Sequence, residues 1–184
     1  MQRFTTMLSL LIAFFATATQ AQMPTPKPAS ELEKVGTFWV GHWTYEGEYK
    51  HSPLGTGGKI TGELSAEKIL GGHFIQFRWT EHGTSGETHG LEIDKYDPVE
   101  KIFATSEYHD DGSTASGAYT FNGNTCAYEG KFDVASKHYM AKNTIVFAAD
   151  LMSYTSKGEI STDGKTWALW WEEKYNRDKP GAKR

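Results

Sequence analysis

The chain has 184 residues, of which 38% are hydrophobic and 14% aromatic, and a formal net charge of −4. The acidic residues (23) slightly outnumber Lys and Arg (19), and no basic stripe is present, which argues against a nucleic-acid partner. The sole cysteine, Cys126, excludes an intrachain disulfide, so the fold must rest on packing, with aromatic rings supplying much of the buried area.

Residues 1–21 read as a cleavable signal peptide. Arg3 is the only charge before Lys27, Met7 to Ala18 is a continuous apolar run too short to span a bilayer, and Ala21–Gln22 is the expected cleavage point. Export to the periplasm or beyond the cell follows from that reading, with no integral membrane segment after cleavage. Residues 22–30 form a proline-rich spacer. Ser30 with Glu33 has capping-box spacing and predicts a short helix ending at Gly36. Residues 31–178 are expected to form one domain, followed by a basic tail at 179–184.

From Phe38 onward, runs rich in β-branched and aromatic residues alternate with turn signals. They predict strands at 38–49, 58–69, 73–82, 87–96, 101–108, 114–121, 125–132, 138–147, 151–160 and 166–176. The separators, among them "GTSG", "DPVE", "HDDG", "NGN" and "STDG", are rich in Gly, Asn and Asp, which suit tight hairpins. None is long enough for a crossover helix, so successive strands are antiparallel neighbours. A meander of roughly 8–10 strands removes its two exposed edges by closing, which predicts an all-β, up-and-down barrel.

Period-two alternation places Trp39, Gly41, Trp43, Tyr45, Gly47 and Tyr49 on one inward face. His73, Ile75, Phe77 and Trp79 share another, and Trp167, Leu169, Trp171, Glu173 and Tyr175 a third. Glycines between rings leave room for bulky side chains inside a small barrel. Trp39, Trp43, Tyr45, Phe77, Trp79, Tyr108, Trp167 and Trp171 are the candidate ligand-binding rings, although the same rings would serve equally as packed core. Inward polar candidates are His73, Ser106, Tyr108, Asn143 and Glu173.

His73 and Glu173, with Tyr108 nearby, are the candidate catalytic groups, since a buried His–carboxylate couple shifts both acidities toward neutrality. The competing reading puts them at a solvated rim. His82 and His89 flank a hairpin with Glu81 and Glu87. That spacing is unspecific for a metal, and none is expected. "YHDDGST" reads as a hairpin turn rather than a calcium loop. Cys126 reads as a small buried hydrophobe. Ser65, Ser106 and Ser116 lack a nucleophile elbow. Nothing in the sequence calls for a cofactor.

Gly41-His42-Trp43 after a short helix resembles the opening strand of lipocalin-type barrels. That resemblance implies a late basic residue over the tryptophan, here Arg177. "EKILGGHFIQFRW", "GLEIDKYDPVEKIFATSEYHDDGSTASGAYTFNG" and "STDGKTWALWWEEKYNR" resemble a family of small, often exported bacterial proteins of unknown function with a calycin-like barrel. The spacing Gly90-Leu91, Tyr96-Asp97, Lys101, Phe103 is the most specific part. The resemblance implies a small-ligand site by analogy and supplies no catalytic residues. Nitrobindin-like haem barrels are a more distant likeness. They hold haem through a late-strand histidine, and Leu151 to Asn176 contains none. The expectation is therefore an exported barrel binding a small, largely apolar molecule. Its alternatives are an enzyme (lyase, isomerase or hydrolase) on the same scaffold, or a ligand-free envelope interaction module.

Overall fold

The computed structural model describes residues 27–179. The expected signal segment, the spacer before Lys27 and the tail beyond residue 179 lie outside the described residues. Helix α1 (Ser30–Trp39) precedes ten strands: β1 (Gly41–Tyr49), β2 (Gly58–Ile69), β3 (Phe74–Gly83), β4 (Gly86–Asp97), β5 (Ile102–His109), β6 (Thr114–Asn122), β7 (Thr125–Val134), β8 (Lys137–Phe147), β9 (Ser153–Ser161) and β10 (Ala168–Arg177). Each strand pairs antiparallel with its neighbours in the chain, and β1 also pairs with β10, so the barrel is closed as expected. Closure satisfies both edges of the ribbon by backbone hydrogen bonds. Among the described residues, no helix is long and apolar enough to cross a membrane.

The turn chemistry works as the sequence indicates. Asp97 accepts the N–H groups of Val99 and Glu100, Asp111 that of Ser113, and Asp163 those of Lys165 and Thr166. These bonds favour the carboxylate, holding Asp163 down at about 2.

The helix departs from expectation at both ends. Ala29 occupies the N-cap position with no side-chain cap, and Ser30 Oγ donates instead to Glu31, so the capping box does not form. The helix runs past Gly36 to Trp39, and Phe38 and Trp39 belong to it rather than to the first strand. The reason is packing. Leu32, Val35, Gly36 and Trp39 are all buried, at a spacing that forms one helical stripe. Gly36 continues that stripe, with the flexible end of the Lys68 side chain crossing close over it.

The helix plugs one end of the barrel. Trp39 packs edge-on against Phe77, Phe147 and Tyr154, with ring centroids 5.6, 4.7 and 5.5 Å away, and its carbonyl accepts the Trp43 indole N–H at 2.9 Å. Arg177 closes the seam from above. Its guanidinium lies 4.3 Å from the Trp43 ring and donates to the carbonyls of Thr37 and Phe38. The basic residue over the tryptophan is thus where the lipocalin resemblance placed it.

Inside, rings fold flat over glycines on the next strand. Tyr45 lies over Gly62, Trp79 over Gly90 and Trp171 over Gly158, each pair being direct cross-strand partners. A Cβ at any of the three glycines would overlap the ring. The space that these rings need is provided across the sheet.

Candidate functional site

Opposite the helix, the barrel holds a cavity of about 360 Å³. Exposed Ser85, Asp110 and Asp111, on the hairpins that join β3 to β4 and β5 to β6, form part of its rim, so it reaches solvent at that end. Trp39, Phe77 and Tyr154 lie at its inner end, toward the helical plug, and Tyr45, Trp79, Phe132, Trp170 and Trp171 contribute to its wall.

A column of rings runs down one side. Trp43 meets Tyr154 edge-on at 4.8 Å, Tyr154 stacks on Tyr175 at 4.2 Å, and Tyr175 stacks on Tyr45 at 4.6 Å. The column ends in carboxylates. Tyr45 and Tyr49 donate to Glu81 Oε2 at 3.3 and 3.4 Å, and Tyr175 donates to Glu173 Oε2 at 2.8 Å. Beside Glu173, the Trp171 indole donates to Ser156 Oγ at 2.8 Å, and Ser156 Oγ to Asn143 Oδ1 at 3.1 Å. Across the cavity, Tyr119 donates to Asp94 Oδ2, and His109 Nε2 stands 2.8 Å from Glu107 Oε1.

Burial sets the electrostatics of this interior. It pushes Glu173 up to about 8 and Asp94 up to about 6, and raises Glu81 and, further, Glu92, whose neighbours Asp94 and Glu107 add repulsion. For His109, burial works against the cation, but the Glu107, Asp111 and Asp110 carboxylates together outweigh it and the net shift is upward. Burial also raises Tyr45, Tyr154, Tyr175 and Cys126. At neutral pH the Glu173 carboxyl therefore carries a proton and is able to donate as well as accept.

Among the buried polar atoms of the lining, Trp39 Nε1 and Tyr128 Oη have no hydrogen-bond partner among the described residues. Leaving such a group unpaired costs about 1–3 kcal/mol, which a ligand bonded to it would recover. Among the described residues, no group of three or more His, Cys, Asp and Glu side chains could hold a metal ion.

The residues expected from sequence divide three ways. Trp39, Tyr45, Phe77, Trp79, Trp171, Asn143 and Glu173 all line the cavity. Trp43 is fully buried beneath Arg177 as part of the plug. Tyr108 and Trp167 point outward. Tyr108 is 52% exposed, and the Trp167 ring sits under Lys142 Nζ at 4.4 Å on the outer face.

The reason for Trp167 is a β-bulge in β10. Leu169 pairs with Glu159 but Trp171 with Gly158, so Trp170 is an extra residue and the facing reverses below it. Trp170 and Trp171 both line the cavity, while Trp167 and Leu169 do not. On β5 the facing is one residue from that expected: Thr105, Glu107 and His109 face in, and Ser106 and Tyr108 face out.

His73 belongs to the hairpin between β2 and β3 at the helix end, outside the lining, so the His73–Glu173 couple does not form around the cavity. His82 and His89 are exposed and flank Glu87, each 3.2 Å from one of its oxygens, while Glu81 turns inward. Cys126 is buried, 1% exposed.

The structure adds Glu81, Glu92, Glu107, His109 and Tyr128 to the lining. Alternation marked Glu81 as lying in phase with Ile75, Phe77 and Trp79, and that was the one signal available for it.

These features define a class: a calycin-like, closed, ten-stranded antiparallel barrel with a helical plug and an internal cavity. Residues 37–177 match a family described as "Protein of unknown function (DUF1579)", and the chain belongs to that family. No curated protein matches. Among solved structures, Rv2717c from M. tuberculosis superposes with a TM-score of 0.60 at 13% identity, over 83% of this chain and 100% of that one. The S-type phycobiliprotein lyase CPES from Guillardia theta superposes with a TM-score of 0.57 at 13% identity, over 80% of this chain and 93% of that one. At such identities the likeness concerns the fold alone.

Proposed function

We propose that this protein is an exported binding protein for a small organic molecule, which enters the barrel from the end opposite α1. The observation that carries this reading is the cavity of about 360 Å³, which retains unpaired polar atoms in its wall. A packed core rarely leaves such atoms without partners, and the volume lies at the small end of the range for ligand pockets. The ring-lined wall suits an apolar body. Glu81, Glu173 and Asn143 suit a polar end, so the ligand is amphipathic rather than purely apolar. The apolar run from Met7 to Ala18 supports export.

Native mass spectrometry of the protein taken from the cells that make it tests both parts. Binding predicts a mass excess that disappears on denaturation, and export predicts a mature chain that begins at Gln22. Recovery at the bare polypeptide mass under gentle conditions would refute binding, and a retained Met1 would refute processing.

A further inference from the structure

We propose that the ligand is an organic cation: an amine with an aromatic or aliphatic body, its ammonium held by the carboxylates and ring faces of the cavity. This rests on the ligand-binding reading above and specifies its chemistry.

Among the described residues, the lining contains Glu81, Glu92, Glu107, Asp110, Asp111 and Glu173, and neither Lys nor Arg. Its one histidine, His109, already faces Glu107 at 2.8 Å. An anionic ligand would meet six carboxyls and no free cation in that lining. A cation would find the opposite. Asp110 and Asp111 at the rim draw positive charge toward the mouth, and low-dielectric walls concentrate the field there. The indole faces of Trp79, Trp170 and Trp171 attract an ammonium through their quadrupoles.

A second observation is independent of charge. Tyr128 lies in the cavity wall with its hydroxyl oxygen buried and without a hydrogen-bond partner among the described residues. The ligand's N–H groups would give that oxygen a donor. A bare metal ion fits less well, since no three ligating side chains converge among the described residues.

Ammonium binding must also change the protonation of the wall. Glu173 is faced by Tyr175 on its own strand, Tyr45 and Tyr49 on β1, Tyr154 and Ser156 on β9, Glu81 on β3 and Glu107 on β5. None is cationic, and His109, the nearest base to Glu81, is engaged by Glu107. Burial therefore keeps Glu173 protonated in the empty barrel at neutral pH. An ammonium beside it favours the carboxylate, so binding releases a proton and strengthens as pH rises from 6 to 8.

Isothermal titration calorimetry with matched probes tests this: 2-phenylethylamine, 2-phenylethanol and 3-phenylpropanoate, with naphthyl and hexyl counterparts of each. The expected result is that amines bind at least tenfold tighter than the alcohols and that the carboxylates do not bind. Titration in buffers of different ionisation enthalpy should show net proton release at pH 7. Glu173→Gln and Glu81→Gln should each weaken the amine at least tenfold and the alcohol by less. Glu46→Gln, on the exposed outer face of β1, should change neither, and thermal unfolding confirms that each variant is folded.

Alcohols or carboxylates binding as tightly as amines would overturn the cation assignment and leave the ligand-binding reading standing. Equal amine affinity in the two Gln variants would overturn it as well. Failure of every probe at millimolar concentration would overturn both readings.

Discussion

The Arg177 guanidinium lies 4.3 Å above the fully buried Trp43 ring, and this contact joins the last strand to the first. The same guanidinium donates to the carbonyls of Thr37 and Phe38 at the end of α1, so one side chain ties the first and last strands to the plug. A partly desolvated cation–π contact contributes about 0.5–2 kcal/mol and a charged hydrogen bond about 1.5–3 kcal/mol. Arg177→Met keeps most of the aliphatic stem and removes both. It should lower unfolding stability by about 2 kcal/mol with an unchanged m-value in urea. Arg177→Lys should recover less than half, because an ammonium cannot lie flat on the ring while reaching both carbonyls.

Much of this arrangement was legible in the sequence. The hairpins announced themselves through Asp and Gly at fixed places, and the absence of any crossover length left a meander as the simplest topology. The helix end was misread because Gly36 resembles a stop. The buried stripe through Leu32, Val35 and Trp39 continues across it. On β5, alternation alone could not choose a face: Ile102, Ala104, Ser106 and Tyr108 look as suitable for an interior as Phe103, Thr105, Glu107 and His109. This interior holds carboxylates, Glu107 among them, which residue type alone does not announce. The bulge at Trp170 leaves no turn residue to mark it, and it moved Trp167 outward.

Rings that close over cross-strand glycines make a second set of expectations. Trp171 covers Gly158, and any Cβ there would meet the indole. Gly158→Val should push the ring into the cavity and cost about 1–3 kcal/mol, typical of overpacking. Breaking the bond from Trp171 Nε1 to Ser156 would add to that cost. The tryptophan emission spectrum should shift together with the loss in urea midpoint. A Gly86→Ala change is a useful contrast: it meets no neighbouring atom within 4 Å, so any loss there reflects its positive φ of 115° rather than crowding.

The buried acids make stability depend on pH in an unusual direction. Glu173 holds its proton in the folded barrel up to about 8 but releases it near 4.5 when unfolded. Asp94 behaves alike between 3.8 and about 6. In those windows the folded state binds more protons than the unfolded chain, so stability falls as pH rises. Each group contributes a slope of at most about 1.4 kcal/mol per pH unit. Urea unfolding should therefore give a higher midpoint at pH 5.5 than at pH 8.5. Glu173→Gln should lessen the decline above pH 6, since its amide has no proton to lose, while Glu92, also held well above its ordinary value by burial, keeps part of it. A midpoint that rises steadily from pH 5.5 to 8.5 would contradict the assignment of Glu173 as a buried, protonated acid.

Cys126 offers a way to watch the barrel open. It is 1% exposed, and burial together with the neighbouring Asp94 and Glu92 carboxyls raises its thiol, so little thiolate forms in the folded state. A thiol reagent at pH 8 must then wait for the wall around β7 to open. When that opening is the global unfolding reaction, the labelling rate follows the unfolded population. A variant destabilised by about 2 kcal/mol, as expected for Arg177→Met, should label about 30-fold faster under those conditions. A cavity ligand that binds only the folded barrel should slow labelling by the factor with which it shifts that equilibrium. If labelling is fast in the native protein and insensitive to Arg177→Met, the reagent reaches Cys126 through the cavity mouth, and a ligand should then protect the thiol by simple occlusion. Comparing the labelling rates of the two proteins, with and without a bound probe, separates these routes.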